Sequence, residues 1–191
     1  MSLVDFLPLK VIYHLKMNTL WTIGHSTRSL DEFLKLLDSF HIKILVDVRH
    51  YPGSRKFPQY NKDSLKISLP ENGIEYIHLV DLGGRRKPEP NSKNDAWRLD
   101  SFKGYADYME TEQFQQSLKI LKEIAKEKRT AIMCAEAVWW SCHRSLISDI
   151  LKVDGWKVMH IMGENTSTEH PYTAPANVVD GNLNYSKVRD T

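Results

Sequence analysis

The chain has 191 residues, with 26 Lys and Arg against 24 Asp and Glu, so its formal charge is only +2. At 41% hydrophobic and 26% charged residues it lies well away from the disordered regime, and its near-neutral balance removes the global electrostatic case for nucleic acid or an acidic membrane surface. No apolar run reaches the roughly 20 residues of a spanning helix, and 2 cysteines are too few to staple a secreted scaffold. One cytoplasmic domain with reduced thiols is expected, with no membrane association.

Residues 1–16 scatter apolar positions around Lys10 and Lys16 but lack a basic start, an unbroken apolar stretch and a small-residue cleavage site, so they do not read as a signal peptide. Leu20, Trp21, Thr22, Ile23 and Gly24 form a short apolar run closed by glycine, the pattern of a buried strand. Ser29 followed by Glu32 is a capping box, and Leu30, Phe33, Leu34, Leu37 and Phe40 recur after it at helical spacing. Ile44, Leu45, Val46, Asp47 and Val48 are continuous rather than alternating, as in a strand covered on both faces. A loop follows over residues 51–60, then a weaker helix from Asn61 towards Pro70, and a third strand from Ile74 to Leu79 after Gly73.

Residues 81–102 carry Gly83, Gly84, Pro88 and Pro90 among charges and read as a long loop. A helical turn is expected over residues 103–109, and a helix capped by Thr111 with Phe114, Leu118, Leu121, Ile124 and Ala125 on its apolar face. Thr130 to Cys134 is a fourth strand. A helix beginning near Ser141 then carries Leu146, Ile147, Ile150 and Leu151, and a fifth strand runs from Trp156 to Ile161. The expected organisation is an N-terminal extension over 1–18, a single α/β domain over 19–162 and a C-terminal tail packed on the surface over 163–191. Strands alternating with helices predict a three-layer, mostly parallel sheet of about five strands with helices on both faces.

In such sheets ligands bind beyond the carboxyl ends of the strands. That edge receives His25 after the first strand, Asp47, Arg49, Ser54 and Arg55 after the second, Arg85 and Arg86 after the third, and Cys134, Glu136, His143 and Arg144 around the fourth. Arginine forks suit carboxylate, sulfate or phosphate, and the N-terminus of the helix near Ser141 would add free amides, so an anionic small molecule is the expected partner. Cys134, at the end of a central strand, is the candidate nucleophile, with burial in the core as the competing reading. Cys142 reads as core more than reactive, one turn before Leu146. His25 or His143 would carry the proton and Glu136 or Asp47 would orient it. Arg49, Ser54, Arg55, Arg85, Arg86 and Arg144 would hold the anion. A metal set drawn from His25, Cys134, Cys142 and His143 lacks a recognised spacing, and Gly83-Gly84 is not a Walker motif, so the residues single out no cofactor.

Several ordered motifs carry a resemblance: Thr22-Ile23-Gly24-His25-Ser26, Leu45-Val46-Asp47-Val48-Arg49, His78 through Arg86 with its Gly83-Gly84, Gly104 to Tyr108, Cys134-Ala135-Glu136 and Cys142-His143-Arg144. Together they resemble the family of domain of unknown function 488, from about Thr19 to His170-Pro171-Tyr172. The resemblance implies an α/β fold and a shared polar site but no established reaction. The chain has Trp139 and Ser141 where that family carries proline and arginine. A fainter likeness to rhodanese-type domains rests on Val46-Asp47-Val48-Arg49 and on a strand, cysteine, loop and helix order, without a compact loop after the cysteine. Three functions follow as alternatives: a thiol-assisted enzyme acting on a small or nucleotide-like anion, a nucleotide or nucleic-acid binding module that also uses Trp97 and Tyr105, and a metal-dependent hydrolase.

Overall fold

The computed structural model describes residues 17–187, so all of the expected N-terminal extension except Met17 and Asn18 lies outside the described residues. Strands β1 (Thr19–Gly24), β2 (Ile44–Asp47), β3 (Glu75–His78), β4 (Thr130–Cys134), β5 (Lys157–Gly163) and β6 (Thr166–Glu169) form one sheet in the order β3-β2-β4-β1-β5-β6. The first five are mutually parallel and β6 pairs antiparallel with β5. Helices α1 (Leu30–Ser39) and α2 (Lys62–Glu71) supply Phe33, Leu36, Leu37, Leu65 and Leu69 to one apolar layer. Helices α3 (Asp100–Met109), α4 (Glu112–Glu127) and α5 (Arg144–Val153) build the other. The architecture is three-layer α/β.

Alternation along each strand decides which side chains meet. Leu20, Ile132, Cys134 and Val158 face the α3–α5 layer, while Trp21, Ile23, Leu45, Ala131, Met133 and Ile161 face α1 and α2. By the same period of two, Thr22 and His160 point to the α5 side and Asp47 to the α1–α2 side. Thr22 pairs across the sheet with both Ile132 and His160, and Gly24 with Cys134. An ideal Cβ on Gly24 would lie 1.7 Å from the Glu136 carbonyl oxygen, so only glycine lets the chain leaving β4 fold across the end of β1.

Three expectations need correction. The polar segment after residue 163, read as tail, supplies the antiparallel edge strand β6 to the sheet and a separate hairpin of β7 (Asn177–Val179) and β8 (Asn182–Asn184). Helix α3 starts at Asp100, inside the stretch read as loop, where Gly104 packs against the backbone of residues 86–88. Helix α5 starts at Arg144, not near Ser141: Trp139–Ser141 form a 3-10 turn, and Cys142 is extended between the two.

Candidate functional site

A half-open cleft of about 320 Å³ lies beyond the carboxyl ends of β2 and β4, walled by Arg49, His50, Arg85, Cys134, Cys142 and His143 among others. Both sulfurs are nearly inaccessible, at 2% and 4% exposure, yet both border this space.

Arg144 organises the sulfur end. Its guanidinium is 1% exposed, with Nε donating to Cys134 Sγ at 3.0 Å, NH1 to Thr22 Oγ1 at 3.2 Å and NH2 to the Glu136 carbonyl at 2.7 Å. Its backbone amide, the first of α5, donates to Cys142 Sγ at 3.5 Å. The helix N-terminus thus serves the protein's own sulfur, where its partial positive charge favours a thiolate. No carboxylate forms an ion pair with Arg144 among the described residues. A buried cation needs a compensating group, and here the adjacent candidates are two hydrogen-bonded thiols. Burial, reinforced by the hydrogen bond and charge of Cys142, pushes the Cys134 thiol up. At Cys142 burial also acts upward, but the hydrogen bond from Cys134 and the charge and amide of Arg144 outweigh it and draw the thiol down to about 7. Of the two sulfurs, Cys142 is therefore the one favoured to carry the charge when the pair ionises.

His143 Nε2 lies 2.9 Å from the Val48 carbonyl, which can only accept, so that nitrogen carries the proton. Nδ1 then turns a lone pair to Cys142 Sγ at 3.6 Å. Burial lowers the His143 pKa, which keeps the ring neutral. Gly84 makes room for the ring: an added Cβ would come within 3.0 Å of Nδ1.

Arg49 organises the other wall. It grips Asp47 through Nε at 2.9 Å and NH2 at 2.6 Å, and NH2 also donates to the Tyr60 carbonyl at 2.7 Å. Asp47 is fully buried and accepts the Tyr76 hydroxyl at 2.7 Å as well. His25 belongs to this frame. Its Nδ1 donates to the Ser26 carbonyl at 2.8 Å, leaving Nε2 as acceptor for Arg49 NH1 at 3.3 Å, and its ring stacks on Tyr60 at 4.1 Å. Burial first, with the Arg49 charge assisting, lowers the His25 pKa to about 4 against the pull of its Ser26 bond.

The remaining anion-clamp residues disperse. Arg85 is exposed at the cleft, in the left-handed region at φ 63°, with its guanidinium 5.5 Å from the Tyr51 ring. Arg86 turns away and lies 3.6 Å over Tyr108, bonded to the Gly83 carbonyl. Ser54 ties its own loop, accepting the Phe57 amide and donating its backbone N–H to Asn61, and Arg55 is exposed outside the cleft wall. Glu136 is exposed at the cleft. Trp97 stacks on Phe102 and packs on Tyr185, within the core layer rather than free to meet a base. Among the described residues no group of three or more His, Cys, Asp or Glu side chains could hold a metal ion, which leaves the metal-dependent hydrolase without a ligand set there.

Sequence reasoning missed Thr22, His160, His170 and Asp149, all buried at 1% exposure or less and hydrogen-bonded in series behind Arg144. The available signal was polarity out of place: Thr22 and His160 interrupt otherwise apolar strands at inward positions.

The model of the family described as "Domain of unknown function DUF488" matches residues 29–151, more than half of the chain. The protein belongs to the DUF488 family. Within the matched span of this DUF488 protein lie Asp47, Arg49, Arg85, Cys134, Cys142, His143, Arg144 and Asp149, whereas Thr22, His25, His160 and His170 fall outside it. No curated protein and no solved structure matches the chain. No helix among the described residues of this DUF488 protein is long and apolar enough to cross a membrane.

Proposed function

We propose that this DUF488 protein is a thiolate enzyme acting on a small anionic electrophile, with Cys142 as nucleophile. The observation that carries the reading is the buried Arg144, in contact with both sulfurs and without a carboxylate partner among the described residues. The attacking role moves from Cys134 to Cys142 because Cys142 alone receives the helix amide and faces the His143 lone pair. Cys134 donates its S–H to the neighbouring thiolate. In the reaction, Cys142 Sγ bonds to the electrophilic centre as the leaving group departs. His143 Nδ1 accepts any proton still on the thiol and returns it to that leaving group. Arg85, at the mouth and free of an ion-pair partner among the described residues, recruits the anion. Arg49, already neutralised by Asp47, offers direction more than net charge. Asp47 and His25 hold Arg49 in place, and Glu136 stands beside the bound anion as an acceptor for its polar hydrogens.

Iodoacetamide alkylation followed across pH, with the modified peptide identified by mass spectrometry, tests the assignment. Modification at Cys142 with an apparent midpoint near 7, lost in Cys142→Ser, is the expected result. Labelling confined to Cys134, or a midpoint at or above the free-thiol value of about 8.5, overturns it.

A further inference from the structure

Behind the sulfurs, a closed ring of hydrogen bonds leaves α5 and returns to it. Arg144 NH1 donates to Thr22 Oγ1 on β1, and Thr22 Oγ1 meets His160 Nδ1 on β5 at 2.7 Å. His160 Nε2 meets His170 Nδ1 at 2.9 Å, and His170 Nε2 reaches Asp149 Oδ1, again on α5, at 3.0 Å. All five side chains are buried.

One proton arrangement satisfies every link. Arginine can only donate, so the Thr22 oxygen accepts from it and sends its own proton to His160 Nδ1. His160 therefore carries its proton on Nε2 and gives it to His170 Nδ1. That leaves the His170 proton on Nε2, donated to the acceptor-only Asp149 carboxylate. Adding a proton at His170 Nδ1 would set two N–H groups against each other unless His160 also reversed, and reversal would orphan the Thr22 hydroxyl. The surroundings hold this state. Asp149 also accepts the Thr173 amide at 2.9 Å, the Thr173 hydroxyl at 2.6 Å and the Tyr185 hydroxyl at 3.0 Å. Lys152 binds the His170 carbonyl rather than its ring, at 2.7 Å. Burial above all, with the Arg144 charge assisting, lowers His160 to about 2. Trp139 stacks on His160 at 4.5 Å with planes 5° apart, tying the turn before Cys142 to the same ring.

We infer that Thr22, His160, His170 and Asp149 are positioning residues that aim the Arg144 guanidinium at the thiol pair and so set how readily Cys142 ionises. The inference rests on the proposed thiolate function and adds its control. An arginine side chain has several rotamers, and its bond to the Glu136 carbonyl fixes one edge of the fork; the ring fixes the NH1 edge, leaving Nε directed at Cys134 Sγ. Without the ring, NH1 would be a buried donor with no acceptor, and the guanidinium would turn to find one, weakening its hold on the sulfur charge.

The test is the iodoacetamide rate against pH for intact wild type, Thr22→Val, Thr22→Ser and Asp149→Asn, with thermal melts alongside. Thr22→Val keeps the shape and removes the hydroxyl; it is expected to raise the Cys142 midpoint and slow labelling at pH 7 by about fivefold, as when the midpoint moves up from about 7 by about one pH unit. Thr22→Ser restores the wild-type profile. Asp149→Asn, which removes the carboxylate charge at the far end of the ring and leaves one acceptor oxygen in place of two without touching Arg144, shifts the midpoint in the same direction and covers the case in which Thr22→Val does not fold. As a control for stability alone, Leu69→Ala on the opposite face lowers the melting temperature and leaves the midpoint unchanged. A depressed wild-type midpoint that neither Thr22→Val nor Asp149→Asn moves overturns the inference and leaves the thiolate enzyme standing. A wild-type midpoint at the free-thiol value overturns both.

Discussion

At Arg144, charge, shape and burial place separate demands, and substitutions can distinguish them. A neutral side chain of similar length, Arg144→Met, removes the cation that opposes protonation of Cys142 and also strands the Glu136 carbonyl and the Thr22 hydroxyl. Arg144→Lys keeps the charge, but a point ammonium cannot address Cys134, Thr22 and Glu136 together as the planar fork does. Labelling of Cys142 at pH 7 is expected to fall by about fivefold or more in Arg144→Met and by a smaller factor in Arg144→Lys, since raising the midpoint from about 7 by about one pH unit takes the thiolate from roughly half to roughly a tenth of the protein. A wild-type rate in Arg144→Lys would show that the fork geometry is immaterial. Cys134→Ser isolates the neighbouring donor. A hydroxyl retains a hydrogen bond to the thiolate, so its midpoint should rise less than that of Cys134→Ala, as stopped-flow labelling would show.

At the scale of elements, Gly104 shows how packing reverses an intrinsic preference. In an exposed helix Gly→Ala stabilises by roughly 1 kcal/mol. An ideal Cβ at Gly104, however, would lie 2.4 Å from the Lys87 carbonyl carbon and 2.6 Å from the Arg86 oxygen. Since backbone cannot swing aside like a side-chain tip, Gly104→Ala is expected to destabilise by about 3 kcal/mol and to displace the segment bearing Gly84 and Arg85. Urea unfolding checks the sign, and a gain in stability would show that α3 does not lie against that segment. The same helix marks where the sequence was hard to read. Its start is embedded among prolines, glycines and charges, and it is held by burial of Tyr105, Ala106 and Met109 rather than by periodicity. Strands β1, β2 and β4 were legible because both faces are covered and their residues are almost uniformly apolar. By contrast, β6 is an edge strand of Thr, Ser, Thr and Glu, whose alignment depends on pairing with β5 rather than on apolar side chains. The site was legible to the extent that strand ends collect its residues. Yet Cys142 looked like helix core, because sequence spacing does not reveal that α5 begins two residues later and gives its first amide to that sulfur.

The whole molecule buries several imidazoles in their neutral form, and that choice makes its stability depend on pH. His25 and His160 have folded-state pKa values near 4 and 2, both below the ordinary imidazole value of about 6.5, and burial also lowers His143. Below about 6.5 the unfolded chain binds protons at these rings that the folded chain excludes. Stability therefore falls as the pH drops from 6.5 towards 4, and His160 continues to contribute below that. Each ring protonated only in the unfolded chain costs up to about 1.4 kcal/mol per pH unit in this window. Urea unfolding at pH 7, 6 and 5 should show the midpoint falling, with the slope steepening once the pH is below 6.5. His25→Gln can still offer an amide to the Ser26 carbonyl and an oxygen to Arg49, and it removes one titrating ring. It is expected to be less stable than wild type at pH 7, through loss of the Tyr60 stack, yet to lose less on going to pH 5. Parallel pH profiles for the two proteins would mean that His25 takes up its proton as readily folded as unfolded, and the Ser26–His25–Arg49 bonding pattern would have to be abandoned.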